Sequence, residues 1–235
     1  LYLIQKESKA QKLAEQSLTK LISLMRSDVF NHLALADDYQ SSGLSAEAAD
    51  ILLRLVPNEK VECYPMLHYA LSYLFNQLGK SDKAKAHREA GKSAKGDYCF
   101  PNSLFELQVL EKVLQQNPND DRAHYYIGNL LYDKKRHIEA IEHWKKSIDI
   151  QHEFPTVHRN LALGYYNKLG NAEAALHELE TAFQLNTKDA RVFYELDQLY
   201  KKLNFHPEKR LINLEDYIEL VHARDDLYIE YVTLL

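Results

Sequence analysis

The sequence predicts an all-α fold, a solenoid of stacked antiparallel helix pairs with no sheet, and three observations predict it. Seven Gly and six Pro in 235 residues fall well below the ~12 % of an average chain, whereas strand-rich folds need frequent turn residues. An apolar residue, a small one and a large one three positions on recur at Leu35-Ala36 with Tyr39, Leu71-Ser72 with Phe75, Ile127-Gly128 with Leu131 and Leu161-Ala162 with Tyr165. Twelve or thirteen residues after each small residue an alanine opens a second apolar stripe, giving the ladder Ala48, Ala84, Ala140 and Ala175. Such periods dictate a repeat architecture, because one helix pair leaves an apolar face that only stacking on the next pair covers.

In chain order, Ala14 continues the alanine ladder backwards by 34 residues and marks a truncated first repeat. Ala36 and Ala48 form the next pair around the turn residue Gly43, and Ser72 and Ala84 the pair around Gly79. In each, the small residue should meet the alanine where the two backbones approach closely. The small residues lie 36, 56 and 34 apart, and the long interval has room for a loop and one additional helix. Gly96, Pro101 and Asn102 supply the loop at 94–102. Ser103 with Glu106 three residues on is a capping box opening the pattern Leu107, Leu110, Val113, Leu114, which predicts an extra helix near 103–117. The helix-stopping run Asn117-Pro118-Asn119-Asp120 follows, then the pairs Gly128 with Ala140 and Ala162 with Ala175 around Gly170. A last pair near Ala190 has Asp197 in the place of the small residue and Lys209 near the place of the alanine, so it should pack less regularly. The reading is N-terminal helical repeats at 1–102 and C-terminal ones at 103–235, or one continuous solenoid, with about twelve or thirteen helices.

Lys plus Arg number 29 against 34 Asp plus Glu, a net charge of −5, which gives no global positive field to attract nucleic acid or anionic lipid. Cys63 and Cys99 cannot make a disulfide framework, and their isolation fits a reducing, cytoplasmic compartment. No stretch approaches the ~18 apolar residues of a membrane span. The chain opens at Leu1 and closes at Leu234-Leu235 within an apolar pattern, so the expectation is a piece of a longer protein.

The run Ala123-His124-Tyr125-Tyr126-Ile127-Gly128-Asn129-Leu130-Leu131-Tyr132, with Ala140-Ile141, Trp144 and Ser147, resembles the tetratricopeptide repeat, and the resemblance covers nearly the whole chain. It implies a right-handed α-α superhelix with a concave groove. His32, His68, His124 and His158 stand where that family often has Trp. A second resemblance, over about residues 64–235, is carried by Leu131-Tyr132-Asp133-Lys134, Glu142-His143-Trp144, the run from Phe154 to Asn160, Tyr165-Tyr166-Asn167-Lys168 and the run from Tyr194 to Lys201. It points to large bacterial multidomain proteins in which a β-rich region related to carbohydrate-active enzymes precedes a repeat segment. It implies a sugar-related context and transfers no catalytic residue.

Enzymatic motifs are not apparent. Gly91-Lys92-Ser93 ends like a phosphate-binding loop, but the glycine required five residues earlier is Ala86. No two of the 11 His stand i, i+4 as a helical metal pair would, so no metal or cofactor is expected, and the four equivalent His read as interhelical packing residues. The excess of Lys and Arg between Lys80 and Lys95 reads as a solvated face. Tyrosine is the less ordinary feature, 16 in all. Tyr125, Asn129, Tyr132 and Asp133 share one helix face, away from the stripe of Ile127, Gly128 and Leu131. Tyr69, Tyr73 and Asn76 repeat the arrangement, and Arg159, Tyr166 and Asn167, then Arg191, Tyr194 and Gln198, continue it. In the tetratricopeptide family this face lines the groove. Two functions follow: a non-catalytic scaffold holding a protein or peptide, including another domain of its own chain, or an accessory part of a carbohydrate-active enzyme whose tyrosines help to bind a glycan.

Overall fold

The computed structural model describes residues 6, 8, 10–26, 28–56, 64–94, 96 and 99–235. Cys63 and Lys95 lie outside the described residues. Among those described, all regular secondary structure is helical, in fourteen helices: α1 (Gln11–Met25), α2 (Val29–Ser41), α3 (Ser45–Leu53), α4 (Pro65–Gln77), α5 (Ser81–Ser93), α6 (Leu104–Gln116), α7 (Asp121–Asp133), α8 (His137–Ile150), α9 (Pro155–Leu169), α10 (Ala172–Leu185), α11 (Ala190–Lys202), α12 (Pro207–Asp216), α13 (Ile218–His222) and α14 (Asp225–Leu234). The all-α expectation holds. The helix count exceeds twelve or thirteen partly because the C-terminal stretch breaks twice: Tyr217 leaves helical geometry at φ −119° and ψ 39°, and Arg224 is extended ahead of α14.

Helix boundaries follow from local chemistry. Asp28, Asn171 and Asp189 each accept a hydrogen bond from a backbone N–H of the first turn they precede, satisfying donors that have no partner inside the helix. Proline opens α4, α9 and α12, where its missing N–H costs nothing. At α6 the capping box forms: the Glu106 N–H donates to Ser103 Oγ at 3.2 Å while the Ser103 N–H donates to Glu106 Oε2 at 3.0 Å. The reversals between paired helices share one geometry. Gly43, Gly79, Lys135, Gly170 and Asn204 all take positive φ between 57° and 79°, and at four of them the next N–H reaches back to the carbonyl five residues earlier, as in Lys80 to Phe75 and Arg136 to Leu131. This 6→1 bond with a left-handed residue is the Schellman closure of a helix.

The chain divides into two compact units, Leu1–Ala123 and His124–Leu235. In the first, α2 packs on α3 and α4 on α5, and α6 packs on α4, so the extra helix belongs to this unit. Ala14, Ala36, Ala48, Ser72 and Ala84 are all buried, as the two ladders require. In the second, α9 pairs with α10, α8 packs against α9 and α10 against α11; Gly128, Ala140, Ala162 and Ala175 are buried in turn. At the last pair the irregularity has a definite form. Asp197 is fully buried, and Arg210 of α12 fills the space beside it, donating to both carboxylate oxygens at 2.9 and 2.7 Å and to Glu230 Oε2 at 2.9 Å.

Three of the four equivalent histidines are interhelical rungs, whereas His32 bonds the Asp28 carbonyl at the start of its own helix at 2.6 Å. His68 Nδ1 faces His87 Nδ1 at 3.0 Å, and His124 Nδ1 faces His143 Nδ1 at 3.0 Å; one nitrogen of each pair must donate and the other accept, and the accepting ring has to be neutral. Burial, and then the facing imidazole, pushes His87 and His143 down to about 4. In the next repeat Glu178 replaces the second His and accepts from His158 at 2.6 Å; burial opposes the charge there, but the bonds to Glu178 and the His152 carbonyl raise the His158 pKa. The depressed pair sets a pH dependence. Between the ordinary His value of 6.5 and about 4 the unfolded chain binds more protons than the folded one, so stability is complete above that window and is lost as pH falls through it. His158 works in the opposite sense, its contribution fading as pH rises past its raised value. We expect the melting temperature to fall from about pH 6.5 to 5, and His87→Gln with His143→Gln to flatten that slope in thermal melts. An unchanged slope would place the acid sensitivity in other groups.

A candidate binding groove

The cavity that gathers the predicted residues lies in the second unit, between α9 and α11 over α10. It measures about 330 Å³ and is lined by Ala162, Leu163, Tyr166, Asn167, Leu179, Tyr194, Glu195, Gln198, Leu199 and Lys202. Helical periodicity builds it: Leu163, Tyr166 and Asn167 stand i, i+3 and i+4 on α9, as do Tyr194, Gln198 and Lys202 at i, i+4 and i+8 on α11. Its floor is aliphatic and its rim carries phenol, amide and ammonium groups.

Four of the predicted residues, Tyr166, Asn167, Tyr194 and Gln198, therefore share one cavity. Arg159 and Arg191 meet at its edge on a single partner: the Arg159 guanidinium makes two bonds to Glu195, the Nε one 2.6 Å long, and Arg191 Nε lies 3.2 Å from Glu195 Oε1. Asn129 is committed within the fold, its Oδ1 accepting from Trp144 Nε1 and from Asn160 Nδ2, both at 3.1 Å. Tyr132 packs on Trp144 and His137, with ring centroids 5.2 and 4.6 Å away. Asp133 is exposed and pairs with Lys134 at 2.8 Å. Tyr125 requires a correction, because it is buried against Tyr126 and Phe154 instead of facing a groove.

The remaining predicted residues, Tyr69, Tyr73 and Asn76, belong to the first unit. Tyr69 also requires a correction: it is fully buried, its hydroxyl donating to Asp120 Oδ1 at 3.0 Å, and burial raises the Asp120 pKa. Tyr73 is likewise buried, its hydroxyl accepting from Gln40 and Gln77 at 3.0 and 2.8 Å. Asn76 donates to the Ser72 carbonyl and to Gln116 Oε1.

Sequence reasoning missed the cations of this face. Lys168 Nζ stands 5.9 Å from the Tyr132 ring centroid, Lys202 Nζ 5.2 Å from that of Tyr166, and the Arg224 guanidinium 5.4 Å from that of Tyr194. The signal was available, since both lysines follow their tyrosines by 36 residues. Glu195 likewise follows Arg159 by 36.

Comparison with known proteins places a TPR repeat, the tetratricopeptide repeat, at residues 128–168. Among solved structures the chain is similar to MamA residues 41 to the end from Desulfovibrio magneticus RS-1, 18 % identical over 83 % of this chain and 95 % of that one, with a TM-score of 0.46. It is also similar to TTC0263, a thermophilic TPR protein of Thermus thermophilus, 17 % identical over 87 % of this chain and 97 % of that one, with a TM-score of 0.45. A third likeness is to YrrB, described as a TPR protein with an unusual peptide-binding site, 16 % identical over 76 % of this chain and 96 % of that one, with a TM-score of 0.36. The matched stretch runs from α7 to α9 and is similar in sequence to a tetratricopeptide repeat, within a wholly helical set of described elements.

Proposed function

We propose that this chain is a non-catalytic repeat scaffold that holds an extended peptide, from another protein or from another domain of its own parent chain, in the groove between α9 and α11. The observation that carries the reading is the cavity of about 330 Å³ with an aliphatic floor under a tyrosine, amide and lysine rim. Recognition sites join such features, because an apolar floor takes a side chain while phenol and amide groups fix the backbone of the ligand. The scarcity of cysteine supports a reducing, cytoplasmic setting, and the resemblance over residues 64–235 supports a bacterial multidomain parent. In the alternative reading the tyrosines stack on sugar rings; Lys202 and Arg224 already stand over the Tyr166 and Tyr194 rings, which favours the peptide.

The test titrates the protein with a panel of random-sequence peptides and a panel of oligosaccharides, before and after Tyr166→Ala and Tyr194→Ala. The expected result is peptide binding that weakens at least about tenfold in either variant, the scale of a buried aromatic anchor. Oligosaccharide binding lost in the same variants would establish the glycan reading, and peptide binding indifferent to both would place the site elsewhere.

A further inference from the structure

The charges around the groove are unevenly satisfied. At the groove Arg159 and Arg191 share Glu195, and Arg224, which stands over the Tyr194 ring, holds Asp226. Lys168 and Lys202 are the exceptions: among the described residues neither meets a carboxylate, and each lies over the tyrosine of the preceding repeat. An ammonium resting on a partly exposed aromatic face keeps its charge and is weakly biased toward that position, which lowers the cost of ordering it for a ligand. The two rungs recur 34 residues apart, at Tyr132 with Lys168 and at Tyr166 with Lys202. Between them, Asn167 is exposed beside the cavity. Glu195 adds little negative charge to the pocket because two guanidiniums neutralise it.

We propose that the occupant of this groove is an acidic-apolar peptide segment, in which an aliphatic side chain fills the cavity between α9 and α11 and neighbouring carboxylates engage Lys202 and Lys168. The inference rests on the peptide-scaffold reading and adds the chemistry of the partner. The lysines select for carboxylate against ammonium by charge, and the floor of Leu163, Leu179 and Leu199 selects for an apolar residue beside it. A purely acidic segment would leave that floor wet, and a purely apolar one would leave both ammoniums without a partner.

Three fluorescent twelve-residue probes test it on the whole chain, with Leu alternating with Glu, with Gln or with Lys, read by anisotropy at low and high salt. The Glu-Leu probe is expected to bind roughly tenfold tighter than the Gln-Leu probe, a preference that high salt erodes. Lys168→Ala with Lys202→Ala should abolish that preference, while Lys168→Arg with Lys202→Arg should retain it, with circular dichroism confirming that both variants are folded. Equal binding of the Glu and Gln probes, or tighter binding of the Lys probe, would overturn the acidic partner while leaving the peptide scaffold standing. A preference that survives the double alanine variant would overturn the role of these lysines. Failure of all three probes, together with failure of the random peptide panel, would remove the scaffold reading itself.

Discussion

Arg210→Ala is expected to destabilise the second unit by about 3–5 kcal/mol, the scale of stranding one member of a buried ion pair. Asp197 is fully buried, and both of its carboxylate oxygens depend on this guanidinium. Removing Arg210 leaves a charge with no water to solvate it, and Lys201, at 2.8 Å, becomes the one cation on Glu230 among the described residues. Burial disfavours the Arg210 cation, yet the bonds to Asp197 and Glu230 outweigh it and raise its pKa. The network stands where the other pairs use Ala, Ser or Gly and close backbone approach. Replacing both charges, Asp197→Leu with Arg210→Met, should recover most of the loss, since an apolar pair of similar volume avoids the desolvation penalty. Urea unfolding followed by circular dichroism measures both. A single variant within about 1 kcal/mol of the parent would show that the α11–α12 junction does not depend on the pair.

Gly128→Leu is expected to cost about 3 kcal/mol, at the upper end of overpacking, and Gly128→Ala part of that. A Cβ at this position would stand 2.4 Å from Trp144 Cδ1 and Nε1 and 3.1 Å from the Ala140 carbonyl oxygen. The indole cannot swing away freely, because it is buried and its N–H is held by Asn129 at 3.1 Å. At Gly164 the nearest atom is Ile141 Cγ1, at 2.9 Å, a milder overlap than the 2.4 Å at Gly128. Gly164→Ala should therefore lower the melting temperature less than Gly128→Ala. Equal shifts in thermal melts would contradict the account of the closer Trp144 overlap as the larger cost.

The elements legible in the sequence are those fixed by local chemistry or by repetition. The small-residue and alanine ladders mark buried contacts, and Ser103 with Glu106 forms its capping box. Lys135 and Asn204 were illegible as turns because they adopt the left-handed conformation without the glycine that advertises it. The site was legible as a face but not as a depth. Helical periodicity puts Tyr125 on one side of α7 with Asn129 and Tyr132, yet Phe154 covers it from the start of α9. Tyr69 satisfies the same periodicity and is taken inward by Asp120. What one helix presents is set by its sequence; what remains open depends on which neighbour arrives, and only the 36-residue offsets of Arg159 to Glu195 and Tyr166 to Lys202 carried that information.

The shared left-handed reversal also bears on how the chain finds its fold. Each turn closes within a few residues, so bringing paired helices together costs little loop entropy, and their contacts are close in sequence. Chains dominated by such contacts have low contact order and fold in the microsecond to millisecond range. Each helix pair then acts as a local nucleus whose success does not wait on a distant strand or a particular register. A damaged pair becomes correspondingly a local event: it frays next to its neighbours and is open to proteases there, while pairs further along retain the contacts that define them.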